Sequence, residues 1–115
     1  MHVVKKAEVK TRKNSPTCIV QEYPSPDKDI NLAVVELSGR YPTSGWAVNE
    51  KCKEMGWVLK GSGQFVTENQ IVTISEGDLV VVEPGENYFW DGHMTLVMPA
   101  TPAWYFEQHK NIDAK

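Results

Sequence analysis

The chain has 115 residues, a length suited to one domain with one core. Apolar residues make up 41% and charged residues 23%, which excludes a disordered chain, and no apolar run nears the roughly 20 residues of a membrane helix. A net charge of -3 argues against nucleic acid as a partner, and two cysteines, Cys18 and Cys52, are too few for a disulfide framework or a zinc ribbon.

The N-terminal stretch "MHVVKKAEVKTRKN" is basic through Lys5, Lys6, Lys10, Arg12 and Lys13. It lacks the apolar centre of a signal peptide, so a cytoplasmic home is expected. The cluster reads as a solvated terminal strand. Strand signals follow in close succession, each short and rich in β-branched or aromatic residues: "CIVQEY" (18 to 23), "INLAVVEL" (30 to 37), "WVLKG" (57 to 61) and "QFVT" (64 to 67). The series continues with "IVTI" (71 to 74), "LVVVE" (79 to 83), "YFW" (88 to 90) and "MTLVM" (94 to 98). Turns are expected between them at Ser62-Gly63, Glu68-Asn69-Gln70, Gly77-Asp78, Pro84-Gly85 and Asp91-Gly92, while "YPSPDKD" (23 to 29) reads as a surface loop. In the tail, 101 to 115, Thr101 and Pro102 suit the start of a short helical turn. Trp104 and Phe106 would plug against the barrel, and Trp46 and Trp57 read as core or dimer-contact residues. Many short strands at regular spacing give an all-β expectation, a sandwich or a barrel.

One framework stands out. "GDLVVVEPGENYFW" (77 to 90) resembles the second sequence motif of the cupin family, with Gly77, Pro84 and Gly85 at framework positions and Tyr88 where that family places a metal-binding histidine. "GWAVNEKCKEMGWVLKG" (45 to 61) is similar to the first cupin motif: Glu54, six residues and Gly61 fit its second half. Its histidine positions fall on Ala47 and Asn49, or on Val48 and Glu50. The resemblance covers about Val34 to Pro99. It implies a cupin jelly-roll barrel (a double-stranded β-helix) as one domain over 1–115, with a core at about 30–100, N-terminal strands and a loop at 1–29, and the tail at 101–115. It also implies a twofold homodimer in which a terminal strand, here "HVVKKAEVK", pairs with the partner's sheet.

With the family's histidines replaced, no metal and no other cofactor are expected. A substitute divalent-metal site from Cys52, Glu54 and His93 is the alternative. It rests on a two-residue hairpin turn at Asp91-Gly92, which would set Trp90 and His93 as a cross-strand pair facing inward with Tyr88.

The expected ligand pocket comprises Asn49, Cys52, Glu54, Tyr88, Trp90 and His93. Buried Glu54 needs a partner or a proton, and the Tyr88 hydroxyl or an ordered water suits it. A structural hydrogen bond is an equally good account of Glu54, and packing an equally good account of Tyr88. A carboxylate walled by aromatics suits a small cationic or polyhydroxylated molecule. Two functions compete. One is a metal-independent binding module for such a ligand. The other is a small isomerase, epimerase or lyase using Glu54 and Tyr88 as acid and base. A structural dimer with a vestigial pocket is a third. In general layout the chain resembles the ethanolamine-utilisation and sugar-phosphate isomerase cupins. Phosphate-bearing substrates are disfavoured, Arg40 and Lys60 being the only basic residues near the motif strands. Neither nucleic acid nor membrane is expected as a partner.

Overall fold

A computed structural model describes residues 1–113, so the last two residues of the tail lie outside the described part. A 3-10 turn at Lys6–Glu8 precedes β1 (Lys10–Ser15) and β2 (Cys18–Tyr23), an antiparallel pair. The segment expected as a terminal strand, 2 to 10, therefore contributes only Lys10 to a strand. β3 (Asn31–Ser38), β4 (Trp46–Asn49), β5 (Lys53–Thr67), β6 (Ile71–Ser75), β7 (Leu79–Val82), β8 (Tyr88–Thr101) and β9 (His109–Ile112) complete the order.

All the ladders are antiparallel. β8 is the axis. Its C-terminal half pairs with β3 and the first half of β5, while its N-terminal half pairs with the second half of β5 and touches β4 at Ala47 opposite Tyr88. Period-two alternation sets the faces. In β5, Glu54, Gly56 and Val58 turn inward and Met55, Trp57 and Leu59 outward, up to a bulge between Val58 and Lys60. In β8 the even positions from Tyr88 to Ala100 form the inner face. The core holds Val20, Val35, Leu37, Val58, Val82, Leu96 and Met98.

Two expected turns are strand interior. Ser62-Gly63 and Asp91-Gly92 lie opposite one another in the β5–β8 ladder, which runs unbroken through Ser62–His93, Gly63–Gly92 and Gln64–Asp91. Glycine serves there as a point of close approach rather than a reversal. A Cβ on Gly63 would come within 3.0 Å of the Gly92 Cα, and one on Gly61, at φ +87°, would run into the His93 carbonyl. Both long strands bend at this crossing and pass from one sheet of the barrel to the other.

The tail departs from expectation as well. Thr101 ends β8 rather than capping a helix, and the one helical turn, a 3-10 turn, comes later at Phe106–Gln108. The chain then forms β9, pairing Trp46 to Asn49 of β4 with Ile112 to His109. Among the described residues no helix is long and apolar enough to cross a membrane, which says nothing of membrane β-barrels.

Candidate functional site

Between the two sheets lies a cavity of about 50 Å³. One water needs about 10–15 Å³ on this measure, so the space takes a few waters or the end of a small polar molecule. Inward positions of β2, β3 and β8 give it apolar walls, including Val20, Val35, Leu96 and Met98. Glu54, Tyr88, Trp90, Tyr41 and His109 line it too, with Arg12 and Trp104.

Tyr88 and Trp90 stand on one face of β8, as the period of two requires, and pack on Phe65 with ring centroids 5.5 and 4.6 Å away. Trp90 has room because Gly56 opposes it. A Cβ there would approach the indole to 2.7 Å. Glu54 sits nearby on β5, buried, and its partner is Asn49 rather than Tyr88: Asn49 Nδ2 donates to Glu54 Oε1 at 2.5 Å.

The amide orientation of Asn49 follows from its neighbours. Trp104 Nε1–H can only donate, and it meets Asn49 Oδ1 at 3.2 Å. Gln108 takes the backbone N–H groups of Lys51 and Cys52 on Oε1, both at 3.1 Å, which leaves its Nε2 to donate to Asn49 Oδ1, also at 3.1 Å. Asn49 Oδ1 is therefore the acceptor of three donors, the third being His109 Nδ1 at 2.8 Å. That contact fixes the imidazole with its proton on Nδ1. His109 Nε2 is then an acceptor, and Tyr41 donates its O–H to it at 2.7 Å. A single chain of hydrogen bonds thus runs from Tyr41 through His109 and Asn49 to Glu54. Tyr41 is itself held by backbone bonds to Trp90 in both directions, at 2.8 and 2.9 Å.

The protonation states follow from burial. Glu54 is pushed up from 4.5 to about 7, chiefly by desolvation, with the Asn49 hydrogen bond and the Arg12 charge pulling the other way. Burial drives Tyr41 and Tyr88 above the ordinary phenol and Cys18, on the cavity wall, up to about 12. His109 is lowered to about 4 by burial and then by Arg12. Glu54 alone among these titrates near neutral pH.

Arg12 closes one side of the cavity. Its guanidinium bonds Glu22 at 2.9 Å and Asn14 at 2.9 Å and lies 4.3 Å over the Trp104 ring. Arg40, the basic residue that drew notice in the sequence, donates instead to the Pro42 and Gly45 carbonyls and covers Phe89, so it staples a loop.

Of the six expected pocket residues, Glu54, Tyr88 and Trp90 line the cavity, and Asn49 stands one bond behind them. Cys52 is wholly buried but turned toward the Ala103 carbonyl, and its thiol is raised by burial. His93 is exposed on the outer face, opposite Ser38 and Ser62, because the unbroken run of β8 sets it three residues from Trp90 and hence on the other side. Cys52, Glu54 and His93 accordingly do not converge on a common site. The sequence reading passed over Tyr41, His109, Gln108, Arg12 and the cavity role of Trp104. No local pattern marks them, since three come from a tail strand that matters only once it lies beside β4.

Fold and cavity together define a cupin-type β-barrel with a polar-ended interior. No family model matches the sequence, and no curated protein matches it. Solved structures do match its fold. A Streptomyces Pac13 variant with bound uridine gives a TM-score of 0.85 at 18% identity over 98% of this chain and 91% of the other. Pac13 is described as a nucleoside dehydratase. Ectoine synthase from P. lautus gives 0.74 at 14% identity over 100% and 92% of the two chains. The polyketide cyclase RemF of Streptomyces resistomycificus gives 0.71 at 15% over 100% and 87%.

Proposed function

We propose that the barrel is a small cofactor-free enzyme that moves a proton on a polyhydroxylated molecule, in an elimination or isomerisation, with Glu54 as acid and base. The observation that carries it is Glu54, poised at about 7 on the cavity wall and held in place by Asn49. A carboxyl group near the working pH is the best compromise between taking a proton and giving it back. In an isomerisation the carboxylate takes a proton from one carbon and returns it to the neighbour. In a dehydration it passes the proton to the departing hydroxyl, which leaves as water, and the carboxylate is restored.

Tyr41 and Tyr88 stay protonated in this scheme and hold substrate oxygens. With its proton committed to His109, Tyr41 offers lone pairs to a substrate hydroxyl. His109 is a positioning residue. That the neighbours include a nucleoside dehydratase, ectoine synthase and a polyketide cyclase supports small-molecule chemistry in barrels of this shape. Uridine, bound by one of them, is polyhydroxylated. The cavity volume suits the reacting end of such a molecule, with the remainder at the mouth by Arg12 and Trp104.

Binding without turnover has one observation in its favour: among the described residues every buried side-chain nitrogen and oxygen already has a hydrogen-bond partner, so the network is stable without a substrate. A panel of nucleosides and free sugars incubated in heavy water separates the two. Proton shuttling places deuterium on substrate carbon, read by NMR, and Glu54→Gln abolishes it while leaving thermal-shift affinity largely intact. Ligands that stabilise the protein and return unexchanged would establish a binding module instead.

A further inference from the structure

We propose that the outer face of the sheet formed by β3, β8, β5 and β7 is covered by a second copy of this chain. The register sets Val34 opposite Val97, Val97 opposite Trp57 and Trp57 opposite Leu79, an apolar row straight across four strands on the side away from the cavity. A second row adds Leu32 opposite Pro99 and Met55 opposite Val81. Trp57 is 41% exposed, Met55 43%, Leu79 53% and Val81 41%, so no other part of the described chain shields them.

Four strands at ~4.8 Å and about five residues at ~3.3 Å make this face roughly 19 by 17 Å, about 300 Å² before side-chain relief is counted. Patches of that size on soluble proteins usually serve contacts. A standard interface buries about 800 Å² per partner as an apolar centre within a polar rim. The rim is present. Lys53 and Glu83 pair at 3.2 Å beside one end of the rows, and Lys60 and Glu36 flank the other. Each end carries one charge of each sign, so a twofold face-to-face arrangement opposes no excess of like charge. A flat, symmetric, locally neutral surface with a central tryptophan fits a copy of itself better than a strongly charged partner. This surface replaces the terminal-strand pairing expected from the sequence and is independent of the chemistry proposed for the cavity.

Light scattering on the wild type at tens of micromolar should give twice 13.0 kDa, about 26 kDa, and folded Trp57→Glu should give the single-chain mass. Dose-controlled oxidation of the wild type, with concentrated and diluted samples compared, needs no variant. Met55 should oxidise several-fold more slowly when concentrated, while Met1, fully exposed elsewhere, serves as the reference. A wild-type mass of one chain, a dimer that survives in folded Trp57→Glu, or Met55 oxidation equal at both concentrations would each overturn the assignment.

Discussion

Substituting Glu54 by Gln keeps an oxygen for the Asn49 amide at almost unchanged shape and removes the ionisation. The wild-type carboxyl titrates at 4.5 when solvated and at about 7 in the fold. Between those values the native state holds a proton that the unfolded chain has lost, so native stability falls as pH rises through this window and levels off above it. The interval of about 2.5 pH units, at 1.36 kcal/mol each, amounts to about 3 kcal/mol. Glu54→Gln should thus gain on the wild type by about 3 kcal/mol between pH 4.5 and pH 8, which for a domain of this size is about 10 °C in Tm. Thermal melts of both proteins at half-unit pH steps read the difference, in which every other titrating group cancels. Parallel curves across the window would show that Glu54 is solvated or charge-paired in solution, and the placement of its proton would fail with them.

Three further outcomes follow from the hydrogen-bond chain and its surroundings. Asn49→Ala strands three buried donors, on Trp104, Gln108 and His109; at about 1–3 kcal/mol per stranded group, urea unfolding should show a loss of at least about 3 kcal/mol. Tyr41→Phe removes the donor that favours neutral His109, so the imidazole should titrate higher than about 4, toward 6.5, in an NMR pH series. His93→Ala, on the outer face, should change stability by no more than about 0.5 kcal/mol and leave any ligand-induced thermal shift unaltered.

The outer parts of the barrel were legible because their signals are local. β2 coincides with "CIVQEY", and β6 and β7 fall within a residue of expectation. Gly77 and Gly85 mark reversals with positive φ, as the turn chemistry implied. The same turn vocabulary misled at Ser62-Gly63 and Asp91-Gly92, where glycine answers to a strand crossing that exists only in three dimensions. That error carried His93 into the expected pocket. Tyr88, Trp90 and Glu54 were readable by alternation within one strand. Asn49, His109 and Tyr41 form a site through pairings of β4 with β9 and of Tyr41 with Trp90, contacts between residues some 50 to 60 positions apart. No window of sequence contains them together.

Charge narrows what the cavity can hold. The sequence left open a cationic or a polyhydroxylated occupant, since a carboxylate beside aromatics suits both. The fold adds Arg12 to the wall, with its guanidinium already stacked on Trp104, and holds His109 neutral down to about pH 4. Below pH 7 Glu54 is protonated and Arg12 repels a cation from the mouth. Above pH 7 the carboxylate offers one negative charge, and Arg12 offsets much of it. A cation gains little in either regime, whereas hydroxyl groups find donors and acceptors at Glu54, Tyr41 and Tyr88 on both sides of the transition. The resident charges therefore favour a neutral, hydroxyl-rich ligand over an amine.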